Sequence, residues 1–121
     1  MRKSLTRQER LKKRSDLKRI FASRRQVTGI GAKLKYAKNG LERNRIVVSV
    51  SRKYGTSVKR NKAKRVVKEI YRNMKENLVS GYDVAIMLFP GECDFSRRKE
   101  QIEQLFRKAG MVLIRDPGRV E

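Results

Sequence analysis

Residues 57–77 place the strongest constraint on this chain. At about 100° per residue, Ala63, Val66, Val67, Ile70, Tyr71 and Met74 fall on one side of a helix. Arg60, Asn61, Lys64, Arg65, Lys68 and Arg72 fall on the other. Such a helix must bury one face against a core while holding a wall of cations in water. Between positions 59 and 75 stand eight basic residues and one acid, Glu69. A solvated helix normally mixes its signs so that residues three and four apart attract; here they repel. A polyanion relieves that repulsion, and a phosphate backbone is the polyanion this pattern fits best.

The whole chain leans the same way, with 33 Lys and Arg against 12 Asp and Glu, a formal charge of +21 on 121 residues. Charge on that scale opposes compaction and favours long-range attraction to nucleic acid. A membrane surface is the other common polyanion. No run approaches the ~18 consecutive apolar residues of a spanning helix. Met1-Arg2-Lys3-Ser4-Leu5 starts like a signal n-region, but charges continue through Arg19 where an apolar stretch would be needed. The expectation is a cytoplasmic protein with one modest core.

Residue usage excludes several chemistries. A lone cysteine, Cys93, forms no internal disulfide or thiolate zinc site. The absence of histidine removes the commonest general base and the histidine triads and metal sites. Asp83 and Asp94 flank a strand and read as turn and cap residues rather than metal ligands. No catalytic residue and no metal site is assigned to the polypeptide.

Seven elements follow along the chain. Thr6-Arg7-Gln8-Glu9 fits a capping box, and Ser15 before Asp16 starts a helix near 15–23 carrying Leu17, Ile20 and Phe21. A brief strand is expected over Gln26 to Ile30, then an alternating strand over 33–38, a turn at Asn39-Gly40 and a strand over 45–51. Arg52-Lys53-Tyr54-Gly55 leads into the basic helix, with Thr56 or Ser57 as N-cap. Val84 to Phe89 is apolar enough for a buried strand, and 96–109 is a last helix capped by Gly110. Met111-Val112-Leu113-Ile114 should pack on the core or extend the sheet. The expected fold is α+β, a single small α/β sandwich in the order α-β-β-β-α-β-α. Its helices are expected on one face, leaving the other free for a ligand. One RNA-binding domain would span 1–114, with residues 1–14 free to be flexible and 115–121 a disordered tail.

Arg45-Ile46-Val47-Val48-Ser49-Val50-Ser51-Arg52-Lys53-Tyr54-Gly55, followed by Val58-Lys59-Arg60-Asn61-Lys62-Ala63-Lys64-Arg65, resembles the signature of the bacterial ribonuclease P protein subunit. Ser15-Asp16-Leu17-Lys18-Arg19-Ile20-Phe21 and Leu105-Phe106-Arg107-Lys108 also look like family segments, and the resemblance extends over roughly residues 4–110. It implies a left-handed crossover through the basic helix, where the general rule favours right-handed ones. It implies a subunit of an endoribonuclease: a catalytic RNA removes the 5′ leader of precursor tRNA, using Mg²⁺ bound mainly by the RNA. The protein would raise substrate and Mg²⁺ affinity by binding that RNA and the single-stranded leader. No membrane and no obligate protein partner is implied.

Carried over by position, Lys59, Arg60, Asn61, Lys62, Lys64, Arg65, Lys68 and Arg72 would face RNA, with Arg52 and Lys53 adding contacts before the helix. Leu17, Phe21 and Tyr36 would line a leader-binding cleft between the first helix and the sheet, where aromatic faces stack unpaired bases. Leu17 stands where many members carry phenylalanine. Phe21 shares a stripe with Leu17 and Ile20, so core packing and base contact are both open for it. Three other functions are weighed. A small ribosomal-type structural RNA-binding protein suits the charge but not the Arg60-Asn61-Lys62 signature. An autonomous nuclease lacks histidines and clustered acids, and a duplex-DNA protein lacks a dimer seam.

Overall fold

The strand over 82–88 is apolar at both alternations, and the fold is arranged around covering it twice. In the computed structural model, which describes residues 7–91 and 93–113, the elements are α1 (Arg14–Phe21), β1 (Gln26–Thr28), β2 (Ala32–Lys38), β3 (Arg45–Val50), α2 (Ser57–Met74), β4 (Tyr82–Leu88) and α3 (Phe95–Lys108). The order matches the expected α-β-β-β-α-β-α. The sheet runs β1-β2-β4-β3. β2 is antiparallel to both its neighbours, whereas β3 and β4 are parallel and joined through α2.

On one face Ala32, Leu34, Ile46, Val48, Val84, Ile86 and Leu88 pack against Ala63, Val67, Ile70 and Tyr71 of α2 and Ile102, Leu105 and Phe106 of α3. On the other, Ala85 is buried under Leu11 and Ile20, flanked by Leu17, Phe21, Ala37 and Val47. The expectation of helices on a single face is therefore corrected. A strand that reads Val84-Ala85-Ile86-Met87-Leu88 needs cover on both sides, and α1 supplies the second. Eight residues long, α1 covers only part of that face. Lys33, Lys35, Ser49 and Met87 lie beyond it, half-buried.

Local chemistry sets the ends of the elements. Thr56 rather than Ser57 caps α2, its hydroxyl accepting from the Lys59 amide at 3.2 Å. Asp94 caps α3 by accepting from the Arg97 amide at 2.9 Å. Ser15 does not cap α1: the helix begins at Arg14, and Lys13 occupies the cap position without a side-chain bond. Gly110, at φ 74°, stops α3 in the left-handed conformation that glycine adopts without steric penalty. Met111 is then buried in the core and Val112 pairs with Leu78 outside the four-stranded sheet. Thr6 of the proposed capping box, Ile114 and the tail 115–121 lie outside the described residues.

Asp83 is neither turn nor cap residue. It sits within β4 at 0% exposure, and its carboxylate accepts from Arg45 Nε at 2.8 Å and Arg45 Nη2 at 2.9 Å. Arg19 Nη2 of α1 at 2.8 Å and Asn39 Nδ2 at 3.0 Å complete the set. Asp16 of α1 pairs with Arg45 at 3.2 Å. The bond to Asp83 holds the Arg45 guanidinium still more firmly protonated than usual. α1 is thus tied to the sheet by ions as well as by its apolar stripe. Asp83→Ala should lower unfolding free energy by about 3 kcal/mol, the low end for breaking a buried pair because Arg19 is half exposed. Loss of the Asp94 cap should lower it by about 1 kcal/mol. Urea unfolding of Asp83→Ala and Asp94→Ala compares the two, and equal losses would mean that the Asp83 network does not anchor α1.

Candidate nucleic-acid interface

Along α2 the repeat that buries Ala63, Val67, Ile70 and Tyr71 turns the cations away from the core. Lys59, Asn61, Lys62 and Arg65 are exposed, while Arg60, Lys64, Lys68 and Arg72 are half-buried along the flanks. Arg52 and Lys53 project from the single 3-10 turn Arg52–Tyr54 that leads into the helix. All ten positions expected at the interface therefore reach solvent on or beside one helix. Arg72 differs from the others because it forms an ion pair with Glu69, the acid that interrupts the wall. The Asn61 side chain is exposed and makes no hydrogen bond among the described residues, so ordering of the first turn falls to Thr56.

The N-terminal segment enlarges this face. Glu9 pairs with Lys75 at 3.0 Å. Leu11 donates its amide to the Ile46 carbonyl at 3.0 Å, and Arg10 bridges to Ile46 on the outer edge of β3. These contacts bring Arg10 and Lys12 beside α2. The Lys68 ammonium is held below its ordinary pKa, first by burial and then by the charges of Arg10, Lys64 and Lys12. Four cations converge there, and the repulsion is felt by the one that is most enclosed.

The three residues expected to line a leader cleft fall on two faces of the sheet. Leu17 and Phe21 lie over Ala37, Val47 and Ala85 on the α1 face. Tyr36 lies on the opposite face, packed against the main core with its ring 6.2 Å from that of Tyr82. The reason is strand parity: Tyr36 alternates with Leu34, which is in the core, and a shift of one residue exchanges faces. β2 presents Lys33 and Lys35 to the α1 side instead. Lys35 Nζ donates to the Phe21 carbonyl at 2.6 Å, which places its charge at the end of α1. Arg10, Lys12, Lys33 and Lys35 were not singled out from the sequence. The alternation of Lys33-Leu34-Lys35-Tyr36 held the signal for two of them; the edge contact of residues 10 and 11 had none.

A family model described as Ribonuclease P matches residues 5–110. The chain belongs to the ribonuclease P protein family. It is 40% identical over 110 residues to the "Ribonuclease P protein component" of Caldanaerobacter subterraneus subsp. tengcongensis, covering 89% of this chain and 92% of the relative. It is 34% identical over 109 residues to that of Dictyoglomus turgidum, covering 87% and 92%. The RNase P protein from Thermotoga maritima superposes with a TM-score of 0.75 at 29% identity, over 83% of this chain and 96% of that one. As a ribonuclease P protein, the chain is a component of a tRNA-processing ribonuclease.

Among the described residues, no three Cys, Asp and Glu side chains converge as a group that could hold a metal ion. Asp83 is enclosed by arginines, and Asp94 is engaged as a helix cap. No described helix is long and apolar enough to cross a membrane.

Removing the most crowded cation should raise stability while weakening a polyanion contact. Lys68→Met should stabilise the free protein by about 0.5 kcal/mol, the scale of one or two like-charge pairs at helical spacing. The pH dependence has a definite sign. A lysine whose folded pKa is depressed destabilises the fold fully below that pKa, and the penalty is relieved as pH rises through it towards the ordinary 10.5. Urea unfolding at a series of alkaline pH values should show this gain in the native chain and less of it in Lys68→Met. Equal gains would remove Lys68 as its source.

Proposed function

We propose that this protein binds the catalytic RNA of ribonuclease P along the outer face of α2 and the adjoining residues 10–12. On this reading it holds the single-stranded 5′ leader of precursor tRNA on the α1 side of the sheet. The observation that carries the proposal is the concentration of uncompensated cations on a rigid, well-capped helix. Lysines and arginines meet phosphates there without sequence reading, arginine with two prongs. Arg60, Lys64 and Lys68 share a flank with Arg10 and Lys12, so they address one strand, while Arg65 and Asn61 face outward from the helix.

For the leader, Leu17 and Phe21 offer apolar contact and Lys33 and Lys35 offer charge. Phe21 lies over Ala37, Val47 and Ala85, so only its outer edge is left for a base. Stacking is consequently a smaller part of leader binding than cation contact. On this reading the chemistry would belong to the RNA, whose phosphates would hold the Mg²⁺ ions that supply water activation and stabilisation of the leaving oxygen. The protein adds positive charge that relieves phosphate repulsion where leader and catalytic RNA meet, which raises the affinity of the assembly for substrate and for Mg²⁺. It acts on precursor tRNA in the cytoplasm.

Cleavage of a leader-bearing precursor tRNA by bacterial ribonuclease P RNA at low Mg²⁺ should be stimulated by the protein, and the protein alone should cut nothing. Tight RNA binding without stimulation would favour a structural RNA-binding role. Arg60→Ala with Arg65→Ala should flatten the dependence of log affinity for the catalytic RNA on log salt by about 1–2 units, about one to two phosphate contacts in total. An unchanged slope would reject the α2 face. Lys35→Ala should weaken holoenzyme affinity for precursor more than for mature tRNA, and equal losses would place Lys35 outside the leader path.

A further inference from the structure

α2 and α3 enclose a cleft of about 660 Å³ whose walls include Tyr54, Lys59, Lys62, Arg97 and Arg98, with Ala63 and Val66 beneath. We infer that this cleft is a second phosphate-binding site, which receives a phosphodiester and its flanking sugar from the catalytic RNA. The inference rests on the RNA-binding reading above and adds a separate strand contact to it.

Arg98 carries the argument. Its exposure is 3%, yet among the described residues no carboxylate pairs with it. The guanidinium bonds only to neutral acceptors: Tyr54 Oη at 2.8 Å, Gln101 Oε1 at 2.9 Å and the Gly31 carbonyl at 3.4 Å. A buried charge without a counter-charge is unfavourable, and Arg98 lines an open cleft through which a counter-charge can arrive. The one described acid on the walls, Asp94, already accepts from the Arg97 amide. Four cations thus face one engaged carboxylate. Tyr54 is prepared as well: its oxygen accepts from Arg98, so its own O–H remains to donate into the cleft.

Size and continuity select the ligand. A volume in the range of small-molecule pockets exceeds a lone inorganic ion and suits a nucleotide unit. Lys59 and Lys62 belong both to this wall and to the exposed cations of α2, so RNA lying along α2 has its next phosphate beside Arg97 and Arg98.

The test uses the holoenzyme assembled with bacterial ribonuclease P RNA. Arg97→Gln with Arg98→Gln should weaken affinity for that RNA about tenfold and reduce the salt slope by about 0.7–0.9, one phosphate contact. Cys93 is the chain's single cysteine and stands on the cleft wall. An azidophenacyl group on its thiol, in the otherwise native protein, should photo-cross-link to a discrete RNA position. A folded double variant with the native slope overturns the inference. Should the double variant not fold, absence of a Cys93 cross-link overturns it. Where Arg60→Ala with Arg65→Ala flattens the slope and the cleft variant does not, only the cleft fails. Where neither does, the RNA-binding reading fails with it.

Discussion

Burial of β4 on both faces governs where every other element can go. Val84, Ile86 and Leu88 demand one apolar layer and Ala85 demands another, while β2 and β3 occupy the two edges of the strand. Two helices of 18 and 14 residues cover the first face. Among the described residues, the second receives only α1 and Leu11. Among those residues, the imbalance leaves part of the sheet uncovered beyond α1, where Lys33, Lys35 and Ser49 stand beside Met87. A small core therefore leaves part of one sheet face without a helix over it. Because β3 is parallel to β4, the chain must travel back the length of the sheet between them, and α2 is that return path. Its outer face belongs to no other part of the core and is free to carry charge.

Charge and core oppose each other in this molecule. At +21, the folded state gathers repulsions that the unfolded chain spreads out. They are felt where burial limits screening by water, at Lys68 beside Arg10, Lys64 and Lys12. Lys68 lies at the margin between core and surface rather than at its most exposed points. A polyanion that binds the folded form alone stabilises it by mass action, and it gains most from the cations that are least well hydrated. Polyanion binding and folding stability are in this way two readings of the same electrostatic term.

The sequence shows the repeating features of the fold clearly. The 3.6-residue stripe of α2, the alternation in β2 and β3 and the glycine after α3 each follow from local chemistry, and the element order came out as expected. Features that depend on partners distant in the chain were not readable. Asp83 looked like a strand-end acid, and only the arrival of Arg19, Asn39 and Arg45 makes it the anchor of α1. Residues 10 and 11 carry no strand pattern, since a single edge contact with β3 holds them. Tyr36 is a different case. Parity with Leu34 put it on the core face from the start, and its aromatic character drew attention away from the lysines beside it.

The two basic flanks of α2 differ in what they can bind. One, with Lys64 and Lys68, faces Arg10 and Lys12; the other, with Lys59 and Lys62, faces Arg97 and Arg98 across the cleft. They are separated by the width of a helix with its side chains, about 10–12 Å, too far for one phosphate to satisfy both. A single extended strand laid on the outward residues Asn61 and Arg65 would leave both flanks partly unneutralised. A folded RNA, which can present phosphates from two strands around one helix, satisfies them together. That geometry favours a structured RNA over a flexible single strand as the partner of α2. On the proposed reading the single-stranded leader falls instead to the α1 side of the sheet, where Lys33 and Lys35 supply the charge.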